Sequence, residues 1–371
     1  MRSTAIERRA FLRGAGAAGL MLFGALGRRA EAAGAEPLYL SGCRKPDGSF
    51  AVAVFRPEEG IVRTVPLPDR GHDICVSPGG RRAIAFARRP GTFACAIDLR
   101  RETEPTVFHT PEGRHFYGHG DFSPDGRLLF ATENDYDNAR GTIGIYDARG
   151  GYARLGEIES YGVGPHEVVL MPDGRTLAIG NGGIETHPAA GRTMLNVDSM
   201  QANLAFVDWR SGDLIARHAL PPEVHKLSIR HVSLDADGRS WFGCQYVGPE
   251  ADRPPLVGYA GPQEAPRLLA APNHIQNSLM NYVGAMATSR DGQFVAASCP
   301  RGGKVLVWNL RGELVAARDF EDSCGIVSGT APSGFLGTNG LGEIREFTAG
   351  ETLLARRHDL AFDNHVALAR G

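Results

Sequence analysis

The chain has 371 residues, 42% hydrophobic and 22% charged, which suffices for a sizeable core and excludes a disordered protein. Formal net charge is −2, and residues 1–32 hold six arginines and two glutamates, so the remainder carries 34 basic against 40 acidic residues, or −6. That balance excludes a nucleic-acid-binding protein. The 48 glycines and 23 prolines follow no collagen-like period and suit many short strands joined by tight turns.

In chain order, Arg8-Arg9-Ala10-Phe11-Leu12-Arg13 precedes a short apolar run from Gly14 to Leu26, and Ala30-Glu31-Ala32 offers a small-x-small cleavage site. This resembles a twin-arginine export signal, with Arg8 and Arg9 as its recognition pair. The apolar run is short for a membrane span, and no later segment approaches one. The sequence therefore predicts a signal peptide over 1–32 and one domain over 33–371, delivered already folded to the periplasm without a transmembrane segment after cleavage.

The remainder repeats itself. A short strand, often with His near its start, runs into a turn carrying Gly and a basic residue, and two or three further strands follow. Copies read His72 through Arg81, Gly118 through Arg127 and His166 through Arg175, with weaker turns at Asp237-Gly238-Arg239, Asp291-Gly292 and Ser333-Gly334. The turn glycines at 80, 126, 174, 238, 292 and 334 lie 46, 48, 64, 54 and 42 residues apart. Such a period belongs to four-stranded propeller blades, and an insertion around 183–203 lengthens the third interval. Residues 38–44, 49–55 and 60–66 read as second, third and outer strands without a first, and 364–368 reads as a first strand without followers. Pairing them hides two sheet edges. The fold expected is all-β, a seven-bladed β-propeller closed by pairing the N-terminal strands with a C-terminal first strand.

First strands line the channel of a propeller, and their starts share one face with the ends of second strands. At the aligned position stand His72, Gly118, His166, Arg230, Gly284, Gly325 and His365. His119 and His231 come one residue later, where strict alternation turns them away. Gly118 and Gly120 permit a bulge that brings His119 back; His231 has no such neighbours. Second-strand ends and their loops add Glu133, Asn134, Asp135, Asn181 and Gln245 to the mouth. The candidate ligand set is thus His72, His119, His166, His231, His365, Glu133 and Asp135, supported by Arg230, Asn134, Asn181 and Gln245. Neutral imidazole suits transition metals, so a metal is the candidate cofactor. The alternative is a water-filled polar channel in which His-Asp and His-Glu pairs cap strand ends. His115 and His119 show His-x-x-x-His spacing, but an extended chain holds them about 13 Å apart. Ligation requires the ring nitrogens of His72, His119, His166 and His365 to converge on one point.

Cys75 and Cys95 fall on the first and third strands of one blade, too far apart to bridge. Cys299 and Cys324, at the mouth of adjacent blades, are a candidate disulfide in an oxidising compartment. No catalytic or nucleotide-binding signature occurs.

Tyr117 through Arg127, Thr132-Glu133-Asn134-Asp135-Tyr136, Gly164-Pro165-His166-Glu167, Asn181-Gly182-Gly183-Ile184, Ser228-Ile229-Arg230-His231, Phe242-Gly243-Cys244-Gln245-Tyr246 and Arg301-Gly302-Gly303 together resemble domain-of-unknown-function family 1513. The resemblance implies a periplasmic propeller of unassigned activity, encoded near imelysin-like and di-haem peroxidase-like proteins of iron uptake, which become its expected partners. Gly-Pro-His before a Pro-Asp-Gly turn is also similar, more remotely, to lactonase-like propellers. Three functions stay open: a binding or assembly protein in metal (iron) acquisition, a lactonase-like hydrolase with a metal or His base at the mouth, and an interaction scaffold without a small-molecule site.

Overall fold

The repeated turn explains why each blade begins where it does. In the first copy the amide of Gly80 donates to Ser77 O at 2.8 Å, and the Arg82 amide donates to the Ser77 hydroxyl at 3.0 Å. Ser123 and Ser289 form the same closure: each accepts from the turn glycine and from the first amide of the next strand, and each hydroxyl donates to Asp125 or Asp291. Gly80, Gly126 and Gly292 have φ of 61°, 65° and 71°, the left-handed conformation in which a side chain is strained. Each turn joins a first strand to a second.

The computed structural model describes residues 37–369; the expected export signal with Arg8 and Arg9, and its expected junction with the domain, lie outside the described residues. The strands form seven antiparallel sheets, each a blade. The first complete blade contains β4 (Gly71–Val76), β5 (Arg82–Ala87), β6 (Phe93–Asp98) and β7 (Thr106–His109). The next four strands, β8 (Arg114–Phe122), β9 (Leu128–Asp135), β10 (Arg140–Asp147) and β11 (Ala153–Glu159), repeat it. Further blades begin with β12 (Pro165–Leu170), β16 (Leu227–Leu234), β20 (Ala285–Thr288) and β24 (Ser323–Ser328). The seventh combines β1 (Leu38–Arg44), β2 (Phe50–Arg56) and β3 (Gly60–Pro66) with β28 (Ala361–Phe362) and β29 (Ala367–Ala369) from the far end of the chain. There Cys43 faces Phe362 and Leu40 faces Ala367 across an antiparallel pair. The insertion runs irregularly from β13 (Thr176–Asn181) to β14 (Asn203–Asp208). Among the described residues one short α-helix, α1 (Asn273–Ser278), precedes β20.

Second strands such as β5 are buried on both faces because neighbouring blades cover them, so their sequences are continuous apolar runs rather than alternations. Outer strands such as β15 (Leu214–Ala219) remain half exposed and alternate. The largest core cluster, including Phe206, Trp241, Phe242, Leu306 and Trp308, fills the space between three successive blades.

A buried ionic network occupies the blade of β8 to β11. Glu133 is wholly buried; Arg154 Nη2 donates to it at 2.8 Å, the Tyr146 hydroxyl at 2.5 Å, and Arg114 lies 3.3 Å away. Asp135 pairs with Arg140 at 3.0 Å and Arg114 at 3.5 Å. Burial disfavours the Glu157 carboxylate, but hydrogen bonds from Arg154 and Arg140 outweigh that and hold its pKa at about 2 rather than 4.5. Removing one member of such a set strands its partners' charge. Glu133→Gln should therefore lower unfolding free energy by about 3–5 kcal/mol in chemical denaturation. Glu157 is depressed in the folded state, so its stabilisation is complete above pH 4.5 and disappears as pH falls from there towards 2. Glu157→Gln should flatten the acid limb of a melting-temperature profile over that window; an unchanged limb would contradict the assignment.

Candidate metal centre

The geometry of the channel comes from irregularities where first strands begin. In β4, His72 and Asp73 together oppose a single residue of β5, because the register shifts between Gly71 and Ile74. In β8 the three residues 117–119 oppose Thr132 alone. His166 is the extra residue of β12, Arg230 of β16 and Cys324 of β24. In the closing blade, 363–366 span a stretch of β1 only two residues long. An extra residue reverses the alternation beyond it and re-aims side chains. His231 therefore faces the channel, against the expectation from alternation: the bulge at Arg230 forms without glycine.

All five candidate histidines converge. The His119 ring lies 4.8, 4.7, 5.6 and 4.8 Å, centroid to centroid, from the rings of His72, His166, His231 and His365. His72 meets His166 and His365 at 5.6 and 5.0 Å, and His231 meets His166 and His365 at 5.0 and 4.8 Å. Each ring is buried, and His119 is only 1% exposed. The potential ligand atoms fall into two overlapping triads, His72/His119/His166 and His119/His231/His365, each within 4.8 Å internally. Bonds of about 2.1 Å to a tetrahedral ion place ligand nitrogens about 3.4 Å apart, so closing a triad requires under about 1 Å of movement per atom. The expected single set of His72, His119, His166 and His365 is replaced by two triads that share His119.

Space at the axis is tight. Gly118 has φ of 103°, and a Cβ there would lie 2.4 Å from Cδ2 of His72. Its glycine is thus required twice, by conformation and by the neighbouring imidazole.

Several ring nitrogens lack a hydrogen-bond partner despite being buried: Nδ1 of His72 and His166, and Nε2 of His119 and His365. An unsatisfied buried polar atom costs about 1–3 kcal/mol, and four so close together mark a candidate ligand site. Two carboxylates stand behind the rings. Asp73 Oδ2 is 3.3 Å from His119 Nδ1, and Glu167 Oε2 is 3.2 Å from His231 Nδ1 while accepting the Val232 amide at 3.0 Å. A carboxylate on one nitrogen of an imidazole orients the other nitrogen for a metal and raises its basicity.

The electrostatics keep most of the cluster neutral. Burial, then mutual repulsion, holds His72 well below the ordinary imidazole range; burial with Arg230 and neighbouring imidazoles does the same for His166, and burial with His365 and His119 for His231. Burial foremost lowers His365 to about 3. His119 moves upward instead, because Asp73 and Glu167 outweigh its burial. Neutral imidazoles are the form that binds metal.

Other sequence candidates go elsewhere. Glu133 and Asp135 do not join the histidines, because the arginines at 114, 140 and 154 of their own blade neutralise them. Asn134 donates to Nε2 of His115 and to Thr186 O, and Asn181 ties Ser160 to Asn203, so both anchor loops. Gln245 bridges Tyr282 through its backbone. His115 has its own partners and lies outside the cluster. Cys299 and Cys324 form no disulfide; both are buried free thiols, and Cys324 Sγ instead donates to backbone carbonyls, that of Asp363 at 3.1 Å. Cys75 and Cys95 flank β5 unbridged. Asp73 and Glu167 were the residues sequence reading passed over, although each directly follows a channel histidine.

A family profile described as "Protein of unknown function (DUF1513)" matches residues 65–369. The chain belongs to the DUF1513 family. Among solved structures, hydrazine synthase of Kuenenia stuttgartiensis is similar with a TM-score of 0.61 at 16% identity, over 90% of this chain and 99% of the other. The periplasmic gluconolactonase PpgL of Pseudomonas aeruginosa is similar with a TM-score of 0.60 at 14% identity, over 90% and 99%. At such identities these likenesses establish the seven-bladed fold that this DUF1513 protein shares, and nothing of its chemistry. No curated protein sequence gives a significant match.

Gly118→Ala should displace the His72 ring and perturb the cluster more than the stability of the fold. The resonances of all five imidazoles should shift in a histidine-labelled NMR spectrum; a spectrum identical to that of the parent would contradict the packing described.

Proposed function

We propose that this protein is an exported, periplasmic binding or assembly propeller that holds a first-row transition metal on its channel histidines and serves metal acquisition, iron foremost. One observation carries the reading: five buried imidazoles meet at the axis, and four of them have a ring nitrogen without a partner. Nitrogen-rich sites of this kind suit iron, copper, nickel and zinc and do not suit magnesium or calcium. His72, His119, His166, His231 and His365 would supply the donors, with Asp73 and Glu167 orienting His119 and His231. A bound ion would supply positive charge that replaces the proton His119 otherwise attracts. The near-complete burial of the rings favours retention of an ion over turnover of a bulky substrate, which ranks this reading above a lactonase-like hydrolase. Periplasmic iron-uptake proteins, imelysin-like or di-haem peroxidase-like, are the proposed partners.

Protein purified from periplasm with its export signal intact should contain about one metal ion per chain by elemental analysis, or acquire one on titration. Asp73→Asn should weaken that affinity about 10–100-fold, the usual effect of losing a carboxylate behind a ligand. His119→Ala, which breaks both triads, should weaken it further. Wild-type protein that neither carries a metal nor competes with a chromogenic chelator for iron, copper, nickel or zinc would refute the reading. Replacing Arg8 and Arg9 by lysine should leave the protein in the cytoplasmic fraction; undiminished periplasmic protein would refute export by this route.

A further inference from the structure

The channel face bearing the histidines also carries an excess of guanidinium groups that the metal reading does not use. Arg230, the extra residue of the β16 bulge, directly precedes His231. It makes no hydrogen bond or ion pair among the described residues, and its Nε is buried without a partner. Arg89 and Arg88 both act on it electrostatically. Arg88 follows the end of β5; its Nη1 donates to Asn364 Oδ1 at 3.0 Å, beside His365, and lies 3.5 Å from Asp363. Asp363 is already committed to Arg70, which donates to it at 2.7 Å. Arg89 and Arg192, the latter from the long insertion, share the wall of a small cleft with His115, Thr186 and His187. Neither forms an ion pair among the described residues. Phenols stand among these charges, since both Tyr117 and Tyr282 act electrostatically on Arg230.

A half-buried guanidinium whose Nε is shut away from water without a partner is stabilised when something negative completes it. Asp73 and Glu167, the carboxylates beside the channel histidines, are committed to those rings. A planar guanidinium presents paired donors that match a carboxylate in two-point contact. An ion on one triad would have room for a further oxygen ligand, and Arg230 directly precedes His231 of the second triad.

We propose that this mouth binds a small carboxylate anion, held by Arg230 with Arg88 and Arg89 and bound through a second oxygen to the histidine-held ion. Arg192, exposed on the insertion, draws the anion in. The site thus accepts a metal together with its carboxylate ligand. Only the second attachment point rests on the metal reading; the arginine pocket stands independently.

Oxalate is the probe, titrated calorimetrically into metal-free protein and into protein loaded with Zn(II), with metal content measured in every sample after filtration. Wild type should bind one oxalate per chain, at least tenfold more tightly when loaded. Arg230→Gln should weaken oxalate binding at least tenfold in both forms, and Arg230→Lys should recover only part of the loss because it restores charge without the fork. Arg192→Ala, at an exposed position that folding does not need, should weaken binding by a smaller factor that shrinks with added salt. Equal affinities of wild type and Arg230→Gln would overturn the proposal while leaving the metal reading intact. Failure of Zn(II), and of the other metals tested above, to load, with oxalate binding still dependent on Arg230, would overturn the metal reading and support the anion pocket. Phosphate or sulfate binding as tightly as oxalate would overturn the assignment to carboxylates.

Discussion

The histidine cluster exists only because the ring closes. His365 lies between two short strands, β28 and β29, that pair with β1 from the opposite end of the chain, and the Ser41 hydroxyl donates to His365 O at 2.7 Å. That contact joins residues 324 apart in sequence. It sets His365 against His72, His119 and His231 and completes both the channel wall and the triads. Opening the clasp would expose the edge of β1 and remove one imidazole from the cluster, so the stability of the ring and the make-up of the candidate site share one constraint.

Bulges supply the second requirement. A regular antiparallel ladder would send alternate residues of each first strand to opposite faces. Extra residues at His72-Asp73, 117–119, His166 and Arg230 break that alternation, so that channel-facing rings and carboxylates behind them come from consecutive or nearly consecutive positions. Gly118 shows the tolerance involved: the His72 ring occupies the space a Cβ would need. The same irregularity leaves Arg230 half-buried beside His231, and one backbone device thereby places both a channel imidazole and a cation whose Nε has no partner.

Charge is distributed unevenly around the molecule. In the blade of β8 to β11, arginines and carboxylates neutralise one another, and Glu133 sits wholly buried among its partners. At the channel the balance is left incomplete, with four imidazoles and the Nε of Arg230 lacking partners. Partnerless polar atoms gathered at one point mark a candidate ligand site.

Sequence alone determined the blade count, the turn positions and the pairing of the chain's ends, since these follow from a repeated local pattern of Pro, Asp and Gly and from alternation within single strands. It also pointed to all five channel histidines, although alternation argued against His231. What it could not settle was which carboxylates accompany them: Glu133 and Asp135 stood at the right strand end but were claimed by Arg114, Arg140 and Arg154, whereas Asp73 and Glu167 passed for strand caps. The proposed thiol pair at Cys299 and Cys324 failed likewise, because neighbouring blades left each sulfur buried and free. Register shifts and the choice among competing partners depend on contacts between strands distant in sequence, and no local pattern records them. Only the closed ring decided them.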